Sequence, residues 1–100
     1  MRQELEQIVE YINMKTPTAA EYEQLAEEAT ELAHAALKVA RALRRESPTP
    51  VSVVDAMNDA AAEYSDVITV ATVTGIQPNS KMIARKLIRW AERLGIAEEG

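Results

Sequence analysis

The sequence predicts an all-α protein built as a four-helix bundle, and three observations support this fold class. The composition is 47% hydrophobic, with no Phe and only three Gly, which suits closely packed helices better than a β-sandwich. Apolar residues recur at steps of three and four in four segments, and proline or capping residues separate these segments. A length of 100 residues predicts a single domain over residues 1–100.

The first two predicted helices lie on either side of a proline. The first covers about Arg2 to Met14 and carries a narrow apolar stripe. This stripe consists of Leu5, Ile8, Val9 and Ile12. Pro17 ends that helix, and Thr18 followed by Glu21 matches a capping box. A long second helix is therefore expected from Ala19 to about Arg45.

The third predicted helix follows a stretch that cannot be helical. The two prolines in Ser47-Pro48-Thr49-Pro50 remove hydrogen-bond donors and disfavour helical geometry in the residues before them. Ser52, with Asp55 three positions later, is a helix-start signal. The helix should continue to Thr74, because Gly75 is a favourable residue just beyond a helix end.

The fourth predicted helix covers about Ser80 to Leu94, ends at Gly95 and is amphipathic; residues 97–100 are expected to fray. Its polar side is basic and consists of Lys81, Arg85, Lys86, Arg89 and Arg93. Most of these side chains are interpreted as a solvated face. Lys86 and Arg93, at the edge toward Trp90, are candidates for phosphate contact. Trp90 is expected in the core or a subunit interface, with base stacking as the alternative.

The second helix carries two acidic residues beside its predicted core stripe. That stripe consists of Tyr22, Leu25, Ala26, Ala29, Leu32, Ala33, Ala36, Leu37 and Ala40. At about 100° per residue, Glu28 borders the stripe and Glu31 lies about 60° further round. Lys38 returns to nearly the same direction as Glu31. The second helix therefore presents two carboxylates and one amine along one edge.

The third helix places acids among apolar neighbours. Its predicted core face consists of Met57, Ala60, Ala61, Tyr64, Val67, Ile68 and Ala71. Asp59, Glu63 and Asp66 share a separate arc of about 60°, which also contains Val70. Carboxylates crowded in an apolar setting take up protons unless a cation compensates. Mg²⁺, which prefers oxygen ligands and bridges carboxylates to phosphates, is the expected cofactor, with Mn²⁺ a possible substitute.

The acidic motifs carry a family resemblance. The stretch from Leu25 to Arg41, together with Ala62 to Val67, resembles the phage-type, single-domain MazG-like all-α nucleoside triphosphate pyrophosphohydrolases, whose signature is E-x-x-E, a loop, then E-x-x-D. The segment from Lys86 to Arg93 looks like the basic C-terminal part of such proteins. The connection between Glu31 and Glu63 is slightly longer than the family's usual spacing.

The resemblance implies a function and a set of site residues. The expected reaction is Mg²⁺-dependent hydrolysis of a (d)NTP between its α and β phosphates, giving a monophosphate and pyrophosphate. The resemblance assigns metal binding and catalysis to four acids, which are Glu28, Glu31, Glu63 and Asp66. It assigns phosphate contact to Lys38, and it implies a homodimer or homotetramer. The spacing leaves open which Glu is the base and how many ions bind.

Other classes of function fit the sequence less well. A net charge of -5 argues against a duplex nucleic-acid partner. The absence of Cys excludes a disulfide framework and thiolate chemistry, and no apolar run resembles a signal peptide or membrane span, so a cytoplasmic location is expected. Glu31 and His34 form one E-x-x-H element, but di-iron bundles use two and the chain has one His. A helical interaction module or a nucleotide-binding protein without turnover is the alternative.

Overall fold

The computed structural model describes residues 2–46 and 51–95, and within them the chain forms four α-helices and no strand. The helices are α1 (Arg2–Lys15), α2 (Thr18–Arg44), α3 (Val53–Thr74) and α4 (Ser80–Arg93). The predicted all-α, four-helix class is confirmed, with helix ends within one residue of expectation. The predictions of a loop at residues 47–50 and of fraying at residues 97–100 lie outside the described residues.

Three of the helix ends show how local sequence sets the boundaries. The hydroxyl of Ser52 accepts a hydrogen bond from the Asp55 backbone N–H at 3.3 Å, as predicted. Gly75 closes α3 in the left-handed conformation with φ of 86°, also as predicted. Asn79 Oδ1 accepts a hydrogen bond from the Met82 backbone N–H at 2.9 Å and caps the start of α4. No described helix has the length and apolar character needed to cross a bilayer.

The capping box predicted at the start of α2 is wrong. Pro17 occupies the N-cap position, Thr18 is already helical, and no side chain caps this end. Glu21 is instead 6% exposed and turned inward. In the amide orientation that satisfies both partners, Asn13 donates to Glu21 Oε2 at 2.8 Å and to the Val73 carbonyl at 2.9 Å. Glu21 is therefore held by α1, because its carboxylate accepts a hydrogen bond from Asn13 in place of the reciprocal cap.

The main packing unit is an antiparallel hairpin of α2 and α3. α1 packs on α3, and α4 makes no extensive contact with another helix among the described residues. In α4 only Ala91 is partly buried, and Trp90, expected in the core or an interface, is 63% exposed. Ala56, near the start of α3, is fully buried. The partly buried residues along the contact between α2 and α3 are Leu25, Glu28, Leu32, Ala35 and Val39 of α2, and Ala60, Glu63, Val67 and Val70 of α3.

The predicted core stripes are only partly confirmed. The stripe residues found partly buried are Leu25, Leu32 and Ala40 of α2, and Ala60, Val67 and Ala71 of α3. The residues predicted to be buried but found exposed are Tyr22, Ala26, Ala29, Ala33, Ala36 and Leu37 of α2, and Met57, Ala61, Tyr64 and Ile68 of α3. Each helix packs on its neighbour through an arc that overlaps one edge of this stripe and contains a glutamate, Glu28 on α2 and Glu63 on α3. Periodicity identifies an apolar arc, but it does not determine which edge of that arc meets a helix of the same chain.

Enlarging Ala56 should destabilise the hairpin. Because its methyl group is 0% exposed at the contact between α2 and α3, Ala56→Leu is expected to lower the free energy of unfolding by about 1–3 kcal/mol through overpacking. Urea denaturation followed by circular dichroism measures the change. Ala62→Leu, on an exposed position of the same helix, is the control and should change it by less than about 0.5 kcal/mol. Equal effects of the two substitutions would contradict the packing described here.

Candidate metal centre between α2 and α3

Three glutamates converge where α2 and α3 face each other. Glu28 and Glu31, three residues apart on α2, project toward Glu63 of α3. One carboxylate oxygen from each lies within 4.8 Å of the others. Glu28 and Glu63 are partly buried and Glu31 is exposed, so the cluster opens to solvent on the side of Glu31. This is the spacing at which a cation can contact several carboxylates at once.

Glu63 is the least satisfied member of the cluster. Its Oε2 atom is buried and has no hydrogen-bond partner among the described residues. Glu28, in contrast, accepts a hydrogen bond from Gln24 Nε2 at 2.9 Å, which orients its carboxylate. A buried oxygen without a partner is costly unless a proton or a cation compensates it. Within the cluster, a proton or a cation would therefore stabilise the Glu63 carboxyl most.

The surroundings of Glu63 raise its pKa above the ordinary value. Removal of the carboxyl from water is the largest cause, followed by the negative charges of Glu31, Asp66 and Glu28. A hydrogen bond with the Glu31 carboxyl adds to the effect, because two carboxyls can share a bond only when one keeps a proton. Without a metal, Glu63 thus takes up a proton more readily than an isolated glutamate does. A divalent cation would displace that proton.

A cavity of about 470 Å³ adjoins the cluster, within the size range of small-molecule sites. It is lined by Glu31, His34, Ala35, Lys38 and Arg41 of α2 and by Asp59, Ala62 and Glu63 of α3. Two basic side chains therefore line the same cavity as three carboxylates. This combination can hold a metal and an anion side by side, since carboxylates bind the former and Lys or Arg the latter.

The structure brings some of the predicted site residues together and leaves others apart. Glu28, Glu31 and Glu63 form the cluster, and Lys38 lines the cavity beside it. Asp66 is outside the three-carboxylate group, although its charge reaches Glu63. Two further predicted substrate contacts, Lys86 and Arg93, are exposed on α4 and do not line this cavity. The roles assigned to all seven residues remain predictions.

Sequence reasoning missed two residues that the structure brings to the site. Arg41 lines the cavity, and its position one helical turn after Lys38 is a signal that could have identified it. Gln24 orients Glu28 and lies four residues before it, which is the spacing of a helical side-chain pair. Asp59, recognised from its arc on α3, also lines the cavity.

No family model, curated protein or solved structure matches the chain.

Proposed function

We propose that this protein is a Mg²⁺-dependent nucleoside triphosphate pyrophosphohydrolase that cleaves a (d)NTP between its α and β phosphates. The observation that carries the proposal is the buried, unpartnered oxygen of Glu63 beside two further glutamates. The cavity with Lys38 and Arg41 next to these acids supports it. So does the resemblance of the E-x-x-E and E-x-x-D motifs to the MazG-like enzymes.

The residues present fit a hard divalent cation. Glu28, Glu31 and Glu63 would hold it, and Asp66 would add charge nearby. All are oxygen donors, and the described residues bring no Cys into the cluster and only His34 into the cavity, which favours Mg²⁺ or Mn²⁺ over a softer metal. The ion, when bound, neutralises charge on the phosphates.

The chain's own side chains would perform the remaining tasks. Lys38 and Arg41 would bind phosphate oxygens from the cavity wall by charge-assisted hydrogen bonds. A carboxylate of the cluster, Glu31 or Glu63, would accept a proton from the attacking water. The water oxygen would bond to one of the two phosphorus atoms that flank the bridging oxygen between the α and β phosphates. The bond from that phosphorus atom to the bridging oxygen would break, and the bridging oxygen would stay with the leaving phosphate group. The products are a nucleoside monophosphate and pyrophosphate.

The proposal includes self-association into a homodimer or homotetramer. The chain exposes 8408 Å² of surface, whereas a compact monomer of 11.0 kDa exposes about 5,600 Å². Its radius of gyration is 17.9 Å, compared with about 13 Å for a globular domain of this length. An isolated copy thus leaves much surface that a partner could cover. A cytoplasmic location is also part of the proposal, and the absence of Cys is compatible with it.

A pyrophosphate-release screen tests the activity. Purified protein should release pyrophosphate and monophosphate in equal amounts from at least one common or damaged (d)NTP, in the presence of Mg²⁺ or Mn²⁺. Glu31→Gln should lower kcat/KM by roughly 100-fold or more, because it removes either a metal ligand or the base. A folded protein that binds nucleotide with Mg²⁺ yet releases nothing from any substrate would support the non-catalytic alternative instead.

A further inference from the structure

Helix α4 has an apolar side and a basic side. At about 100° per residue, an arc of about 160° contains no charged residue, and we call it the apolar face of α4. Its large side chains are Ile83, Leu87, Ile88, Trp90 and Leu94. The remaining arc of about 140°, the basic face, holds Lys81, Arg85, Lys86, Arg89 and Arg93, together with Met82 and Glu92.

The apolar face of α4 lacks a partner among the described residues. The helix makes no extensive contact with α1, α2 or α3. Its large side chains stay exposed, with Leu94 at 77%, Trp90 at 63% and Ile88 at 59%. A helix of 14 residues is only marginally stable in water unless its apolar side packs on something. This face therefore marks an interaction surface.

The charge of α4 is opposite in sign to that of the rest of the chain. Five Lys or Arg residues and one Glu give α4 a net charge of +4, so the remaining residues carry −9 of the total of −5. A negatively charged surface thus attracts α4 and repels the rest of the protein. A bilayer of anionic phospholipid offers both an apolar interior for one face and negative headgroups for the other.

We propose that α4 lies in the plane of an anionic bilayer surface and brings the protein to the membrane, with its apolar face in the acyl chains and its basic face toward the headgroup phosphates. With 14 residues the helix is about 21 Å long, shorter than a hydrocarbon core of about 30 Å, so it lies on the bilayer and does not cross it. This inference is independent of the proposed hydrolysis.

The two edges of the apolar face suit the boundary between acyl chains and headgroups. Lys81 follows Ile88 at one edge, and Lys86 follows Trp90 at the other. A lysine stem can lie along apolar surface while its amine reaches a phosphate. Tryptophan is enriched at this depth, where its ring contacts both regions.

Other partners of α4 would use only part of this pattern. Nucleic acid would bind the basic face and leave the apolar face in water. Packing on a protein surface needs an apolar stripe of about 100°. The uncharged arc of about 160° is close to half of the helix circumference, which fits a helix half-immersed in a flat interface.

Trp90 reports the position of α4 directly, because it is the only Trp in the chain. With vesicles of equal parts phosphatidylglycerol and phosphatidylcholine, the full chain should co-sediment and its Trp90 emission should move to shorter wavelength. Vesicles of phosphatidylcholine alone should bind roughly 10-fold more weakly or less, since basic side chains gain their attraction from anionic lipid. Added salt should weaken the binding.

Charge reversals in pairs separate α4 from a general effect of net charge. Arg85→Glu with Arg89→Glu should weaken vesicle binding roughly 100-fold or more, because two attractive charges become repulsive. Lys15→Glu with Arg44→Glu makes the same change at exposed positions of α1 and α2 and should stay within roughly 5-fold of the wild type. Leu87→Gln, in the middle of the apolar face, should weaken binding roughly 10-fold or more.

Three results would overturn the inference. They are no binding to the mixed vesicles, equal binding by the two paired variants, and protection of Trp90 from acrylamide before lipid is added, since protein then covers α4. An emission shift with a single-stranded oligonucleotide but not with vesicles would overturn it in favour of nucleic acid. If the Arg85 and Arg89 variant does not fold by circular dichroism, the comparison of mixed with phosphatidylcholine vesicles decides. Pyrophosphate release is measured without lipid, so failure of either proposal is seen separately.

Discussion

Replacing Glu63 with glutamine is expected to weaken divalent-ion binding strongly and, at neutral pH, to make the metal-free protein more stable. Both effects have one cause. The ionised Glu63 carboxylate sits beside Glu31, Glu28 and Asp66 with one oxygen buried and unpartnered. Glutamine keeps the shape, removes the charge and can donate a hydrogen bond to the neighbouring carboxylates. The repulsion within the metal-free cluster should therefore fall, and with it the attraction for a cation.

Titration calorimetry and thermal unfolding measure the two effects together. Glu63→Gln should weaken Mg²⁺ binding by roughly 100-fold or more, since even the residues that support metal ligands typically account for about 10- to 100-fold. The thermal midpoint of the wild type should rise with Mg²⁺, and that of the variant should not. Glu27→Gln makes the same chemical change at an exposed position of α2 outside the cluster and should behave like the wild type. Unchanged Mg²⁺ affinity in Glu63→Gln would refute the metal centre.

The stability of the metal-free protein should decrease as Glu63 ionises. Its pKa is raised above 4.5 in the folded state, chiefly because the carboxyl is removed from water, so the folded chain keeps this proton at pH values where the unfolded chain has lost it. The stabilisation is fully present below pH 4.5 and is lost as the pH rises through the folded-state pKa. Glu63→Gln cannot lose such a proton, and its stability should lack this decline.

The difference in thermal midpoint between wild type and Glu63→Gln isolates this effect from the other carboxylates. Without metal, the difference should be small near pH 4 and should grow toward neutral pH, with the variant more stable. Saturating Mg²⁺ should reverse the order at neutral pH, because the ion binds only the wild-type cluster. A difference that stays constant between pH 4 and pH 8 would show that Glu63 does not lie among like charges.

Helix positions were predictable from the sequence because their signals are local. Ser52 and Gly75 act within one turn of backbone, and both ends of α3 lie where these residues placed them. The start of α2 was not predictable in the same way. Thr18 and Glu21 have the spacing of a capping box, but Glu21 is bound by Asn13 of α1, which is a contact between helices that spacing within one helix does not contain.

The candidate site was partly predictable for a related reason. The acids in the third-helix arc stood out because Val70 shares their direction, and Glu63 is indeed partly buried at the contact with α2. The side of each helix that packs within the chain was not predictable, because an alanine-rich stripe suits a contact within one chain and a contact between chains equally well. Whether Lys86 and Arg93 reach the site was also not predictable. The amphipathic pattern of α4 predicts the helix, but the position of that helix depends on contacts outside its own segment.

Asn13 affects the position of the carboxylates. It lies at the end of the hairpin opposite the connection between α2 and α3. That connection joins the end of α2 to the start of α3, and Asn13 links Glu21, near the start of α2, to Val73, near the end of α3. Glu31 and Glu63 lie at the midpoints of their helices. The two helices are thus joined at both ends of the hairpin, by the chain at one end and by Asn13 at the other. This restricts the separation of the carboxylates at the middle of the hairpin even without a cation. If the proposed metal centre binds a cation, little ordering entropy remains to be lost.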